Sequence, residues 1–203
     1  DLDGQIAALR EQEAGAGGVE ILVFDERILR PTDDAFDKAV ASEDVTFVNI
    51  AHRNRAALFN AAAAQASAPL FAVLPPDIYP TSDFVRGVLA AFDEHRYGIG
   101  YCDFFQGAEG QAPAETKLWP FHNVIEERFS LGYFRIYQTA LVTNSGGFNE
   151  DLDHAEEYDF RLRVQETATI THIPQTLYTC IVRESEEADL SMSKLYSCLL
   201  YTS

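Results

Sequence analysis

Apolar residues in this chain recur in two alternating rhythms. Leu2, Ile6 and Leu9 keep helical spacing, and glycines between 15 and 18 close that segment. Val19-Glu-Ile-Leu-Val-Phe24 is a short β-branched run stopped by Asp25-Glu26, which predicts a buried strand. Val45-Thr-Phe-Val-Asn-Ile50 and Leu70-Phe-Ala-Val-Leu74 repeat the pattern, the second halted by Pro75-Pro76. Pro31 to Val40 reads as a turn and a short helix. Arg55 to Ala66, rich in alanine and leucine, predicts a longer helix. Pro80 to His95 predicts another, with Phe84, Val88, Leu89 and Phe92 on one face, and Tyr97 to Phe105 a further strand. This alternation implies an α/β protein with a mostly parallel sheet, flanked by helices on both faces.

Beyond residue 105 the rhythm loosens. Gly107, Gly110, Pro113 and Pro120 mark residues 106–128 as a long excursion of the kind that covers a site. Tyr133 to Tyr137, Ala140 to Thr143, Thr169 to Ile173 and Leu177 to Val182 are strand candidates. An acidic amphipathic helix is expected at about 155–166, and a final one at Asp189 to Tyr201. There is no internal repeat, and 203 residues suit one domain.

Composition narrows the partners. With 47% hydrophobic residues the chain can build a substantial core. Its 32 acidic and 15 basic residues give a net charge of −17, a surface that repels nucleic acid and anionic lipid. Such a protein needs a local cationic site or a divalent metal to hold a small anion. Three cysteines without a CxxC pair point to neither a disulfide scaffold nor structural zinc, and fit a reducing cytoplasm. No apolar run reaches the roughly 18 residues of a spanning helix. A membrane-attached neighbour beyond these residues is compatible with that.

In open α/β sheets ligands collect at the carboxyl ends of strands. Asp25 and Glu26, Asp77 and Asp103 fall at such positions. Glu156, Glu157 and Asp159 open the acidic helix, with Arg161 and Arg163 close behind, a pattern suited to proton abstraction beside an anion. Each acid also has a plain reading as a loop or helix-start residue. His154 and Trp119 are candidates for an acceptor side, equally readable as a solvated loop residue and a loop anchor packed on the core. Arg53, Arg55 and Arg183 are candidate phosphate partners, and His172 a candidate diphosphate contact.

Taken in order, these segments resemble the family-2 glycosyltransferases of the GT-A fold, inverting enzymes that use nucleotide-diphosphate sugars. The resemblance runs from about residue 1 to about residue 195. Glu20-Ile-Leu-Val-Phe-Asp-Glu26 is similar to the family's "EIIVVDD" strand, and Asn60 with Ala66 fits its "ARN-x-G-x-x-x-A" helix. Leu70 to Asp77 fits the strand that ends in the DXD motif, and Pro80 the proline after it. Tyr101-Cys-Asp103 is similar to "YSD". Gly146-Gly-Phe-Asn-Glu150 and Glu156-Glu-Tyr-Asp-Phe-Arg-Leu-Arg163 match "GGFDE" and "EDWDLWLR". His172 to Tyr178 with Arg183 is similar to the "IPEPLYYYR" tail.

The resemblance implies one GT-A domain over 1–203, with a nucleotide-binding half (1–105) and an acceptor-binding half (106–203). It implies a nucleotide-diphosphate sugar donor and a glycan or other hydroxyl acceptor. Glu157 would be the base that deprotonates the acceptor. Asp25, Glu26, Arg53 and Asn60 would contact the nucleotide, and Glu156, Asp159, His154 and Trp119 the acceptor. Asp77 would hold Mg²⁺ or Mn²⁺. The chain departs from the pattern in three ways. Pro75 replaces the first DXD aspartate, Glu replaces Asp at 157, and the family's first strand with its "PTYN" loop has no counterpart in these residues. Those departures leave open a weakened glycosyltransferase-like domain serving as a binding or assembly module. An unrelated doubly wound nucleotide-binding protein is disfavoured, because neither GxGxxG nor GxxxxGK[ST] occurs.

Overall fold

The fold comes from a computed structural model, which describes residues 2–12, 19–25, 45–49, 54–75, 77–108, 110–118, 120, 131–152 and 155–182. The helices expected at Pro31 to Val40 and Asp189 to Tyr201 lie outside the described residues.

Helix α1 (Leu2–Arg10) is followed by strands β1 (Ile21–Asp25) and β2 (Val45–Asn49), which pair in parallel. Next come α2 (Arg55–Gln65), β3 (Leu70–Ala72), β4 (Ile78–Pro80) and α3 (Phe84–His95). Strand β5 (Ile99–Gly107), β6 (Ala114–Thr116), β7 (Ile136–Gln138), α4 (Thr139–Asn144), α5 (Glu156–Val164) and β8 (Ile170–Ile181) complete the described chain. The larger sheet has the order β3-β7-β5-β8-β4, with β6 also on β5. It is mixed, and its parallel share is smaller than the strand–helix alternation implies. Among the described residues only β5–β8 and β1–β2 are parallel, whereas β3–β7, β5–β7, β5–β6 and β4–β8 are antiparallel.

Helices do cover both faces. On one, Phe84, Val88 and Phe92 of α3 pack against Phe104, Phe134, Leu177 and Tyr178. On the other, α2, α4 and α5 contribute Phe59, Val142, Phe160 and Val164 around Ile99, Tyr137 and Phe148. The sheet also curls. A flat sheet would set Ala72 and Ile78 about 27 Å apart, four strand spacings sideways and six residues along. Six residue steps reach only about 20 Å. The two edge strands are therefore drawn towards each other, and the turn holding Asp77 bridges them.

Three local expectations are corrected. Pro80 does not begin a helix: it ends β4 against Tyr178, on an edge strand where the missing N–H is tolerated. The ladder continues as Thr81 N–H donates to the Leu177 carbonyl (2.9 Å), and the helix starts only at Phe84. The run Ala140 to Thr143 is helical, because Thr139 is tied to the Ala68 and Pro69 carbonyls and the chain turns there to bury Val142. Finally, the two late strands are one. Pro174 sits exposed in a bulge where β8 slips register against Cys102, Asp103 and Phe104, so proline does not end the strand.

Candidate active site

The site is built where α2 and α5 meet the sheet. An aromatic group sets the spacing: Phe148 stacks on Phe160 (4.3 Å between centroids) and on Phe59 (4.8 Å), and Tyr137 meets both Phe59 and Phe148 edge-on. Tyr137 is thereby fixed on the sheet with its hydroxyl pointing at α5. It donates to Glu157 Oε2 at 2.8 Å.

The loop before α5 is pinned by two asparagines of α2. Asn54 caps that helix, accepting from Ala57 N–H at 3.1 Å, and donates to the Glu150 carbonyl at 2.6 Å. Asn60 accepts from Phe148 N–H (2.7 Å) and donates to the Phe148 carbonyl (3.0 Å) and to Glu150 Oε1 (2.9 Å). Its amide is thus spent on the turn, which does not suit the nucleotide contact expected of it. The turn needs glycine. Gly147 has φ +74°, and a Cβ there would lie 2.5 Å from Asn60 Oδ1, whereas Gly146, at φ +84°, faces open space. Gly146→Ala should cost only backbone strain, about 1 kcal/mol, and Gly147→Ala about 1–3 kcal/mol because it also dislodges Asn60. Urea midpoints for the pair check this; equal losses would mean that Asn60 does not clamp the turn.

Glu157, in the first turn of α5, is the hub. Its Oε2 lies 3.0 Å from Arg135 Nε as well as on the Tyr137 hydroxyl, and its Oε1 pairs with Arg55. Arg55 Nε also lies 3.6 Å from Glu156 Oε1. Arg161, buried, donates to the Glu157 backbone carbonyl at 3.4 Å. Burial opposes the Glu157 charge, but Arg135 and Arg55, with the Tyr137 hydrogen bond, more than offset it and hold the pKa at about 2. Burial, then repulsion from Arg135, lowers Arg161 to about 10. Burial and the adjacent Glu157 push Tyr137 well above its usual value. Three guanidinium groups meet two carboxylates here, so in a protein of net charge −17 this spot reverses the local sign.

Asp159 lies elsewhere on α5. It pairs with Arg163 at 2.8 Å, whose guanidinium also donates to the Ser145 and Gly147 carbonyls, so both brace the glycine turn rather than join Glu157. Asp77 sits in the turn before β4, its carbonyl accepting from Ile181 N–H at 3.0 Å. Gln5 of α1 clamps that turn by donating to the carbonyls of Pro75 and Ile78, both at 2.7 Å. Asp25 ends β1 at its carboxyl end. Glu26, Arg53, Trp119 and His154 lie outside the described residues. Among those described, no group of three or more His, Cys, Asp or Glu side chains could hold a metal ion. Pro75 brings no side-chain ligand beside Asp77.

A second polar group lies at the β8 bulge. Buried Asp103 accepts from Leu118 N–H (2.8 Å) and pairs with His172 Nε2 (2.7 Å), and Lys117 Nζ stands 3.4 Å from its other oxygen. His172 stacks on Tyr101 at 5.1 Å. The sequence marked Asp103 and His172 separately; only the parallel β5–β8 pairing joins them.

No protein-family model and no curated protein matches the sequence. Solved structures do. Residues 1–349 of S. aureus TarS match with a TM-score of 0.68 at 18% identity, over 88% of this chain and 56% of that one. The same protein in complex with UDP matches at 0.69 and 18%, with the same coverage. Its complex with UDP-GlcNAc matches at 0.65 and 18%, over 88% and 54%. The likeness shows the fold, which is GT-A-like. The chain spans little more than half the length of the TarS 1–349 structures it matches. No helix among the described residues is long and apolar enough to cross a membrane.

Proposed function

We propose that this chain belongs to a glycosyltransferase that moves a sugar from a nucleotide-diphosphate donor to a hydroxyl acceptor with inversion. The observation that carries the reading is Glu157, a carboxylate set by Tyr137 and two arginines at the start of α5 in a GT-A-like fold. Support also comes from the ordered motifs and from the UDP and UDP-GlcNAc complexes of TarS. In the reaction the acceptor oxygen forms a bond to the anomeric carbon as the bond to the diphosphate breaks. The nucleoside diphosphate leaves with the electron pair, and Glu157 takes the hydroxyl proton. Arg55 is the cation placed to meet charge on the departing group. In this reading Asp25 contacts the nucleotide, and Asp77 is the residue that would hold a divalent metal against the diphosphate.

Release of nucleoside diphosphate from UDP-GlcNAc and other nucleotide sugars, with oligosaccharide acceptors, tests the reading. Glu157→Gln should lower turnover at least about 100-fold, with folding verified by circular dichroism. Equal turnover in the variant removes Glu157 from the chemistry. One observation favours the second reading, a binding module: Pro75 stands at the DXD position. UDP binding without turnover of any donor would support it.

A further inference from the structure

The ion pairs of Glu157 are split between an inner and an outer side. Oε2 faces the sheet, where Tyr137 is buried and the Arg135 side chain is 12% exposed. Oε1 faces outwards, onto Arg55, whose side chain is 49% exposed against 10% for Glu157. Solvent therefore reaches the carboxylate past Arg55. The backbone of Arg55 is fixed, since it is the first residue of α2 behind the Asn54 cap. Its side chain lies over the Phe59 ring (5.2 Å) and is the most solvent-exposed of the three guanidinium groups described here.

We propose that Arg55 is an anion-responsive gate on this site: while paired with Glu157 it covers Oε1, and it releases Oε1 when a nucleotide diphosphate takes over its guanidinium. This rests on the reading of Glu157 as the base. The chemistry selects the ligand. Arg55 is shared between two carboxylates, Glu157 and Glu156. A neutral hydroxyl acceptor offers nothing to exchange for them, whereas a diphosphate presents several charged oxygens to the same planar fork. The donor consequently opens the base to the acceptor, and not the reverse. Binding is ordered, donor first, and the carboxylate stays masked while no leaving group is in place.

Because the ligand must break the Arg55–Glu157 pair, the two residues compete over it. Titration calorimetry with UDP reads this directly, without turnover. Arg55→Gln should bind UDP about tenfold more weakly than the parent chain, and Arg55→Lys should recover only part of that, having the charge but not the fork. Glu157→Gln should bind UDP about tenfold more tightly, because Arg55 is no longer held back. In the double variant that gain should vanish. An equal gain with and without Arg55 would trace it to the general field of one lost charge, and would overturn the gate. So would parental affinity in Arg55→Gln, once circular dichroism has shown that the variant folds. Failure of the parent chain to bind UDP overturns instead the functional reading on which the gate rests.

Discussion

Glu157→Ala is expected to cost the folded state about 3–5 kcal/mol, the range found when one partner of a buried ion pair is removed. The loss follows from what stays behind. Arg135 keeps its place beside Tyr137 with no counter-charge, and Arg161 remains buried next to it. The Tyr137 hydroxyl loses its acceptor at the same time. Asp159→Ala, four residues from Arg163 on the flank of α5, should cost under about 1 kcal/mol, because that pair is solvent-screened. Urea denaturation of both variants makes the comparison. The double variant Glu157→Leu with Arg135→Met should recover much of the loss, since an apolar pair of similar size needs no charge balance. A loss below 1 kcal/mol for Glu157→Ala would show that the cluster is open to water and does not organise the site.

Much of this arrangement could be read from spacing alone, and the parts that could not share one cause. The acidic start of α5 was legible because Glu156, Glu157 and Asp159 sit within one turn, ahead of Arg161 and Arg163. The glycine turn before it was legible because positive φ has few alternatives. Arg135 and Tyr137 were not. Within Tyr133-Phe-Arg-Ile-Tyr137 they look like edge-strand residues, and nothing local says that they face a carboxylate twenty or so positions later. Their role is set by the β5–β7 pairing and by the Phe59–Phe148–Phe160 packing that brings α5 down on them.

Asn60 shows the opposite case. The motif marks it, yet its donors and acceptor are satisfied by Phe148 and Glu150, so its importance is to the shape of the turn. Pro174 and Pro80 misled for a related reason. Proline normally marks the boundary of an element, its start at Pro80 and its end before Pro174, but an edge strand and a bulge both tolerate its missing N–H, and neither can be recognised before the partner strand is known. Tertiary pairing, rather than local preference, decided each of these positions.

Stability should fall as the protein is acidified from pH 5 to pH 2, and Glu157 should account for about 3 kcal/mol of that fall. The sign follows from the direction of the shift. The folded pKa is held at about 2 against 4.5 for an ordinary glutamate, so the folded state favours the ionised carboxylate. Its contribution is fully present above pH 4.5 and is lost as pH falls towards 2, where the folded form also takes up its proton. A difference of about 2.5 units at about 1.4 kcal/mol per unit sets the order of magnitude. Urea unfolding of the parent chain and of Glu157→Gln at pH 6, 5, 4 and 3 isolates this part. Gln resembles the protonated acid, so the two stability curves should lie far apart at pH 6 and close as the pH approaches 2. Curves that run parallel over that range would mean that the arginines do not hold Glu157 in its charged form. The pairing with Arg55 and Arg135 would then be too weak to bias the proton equilibrium, and Arg55 would have no hold on Oε1 to surrender.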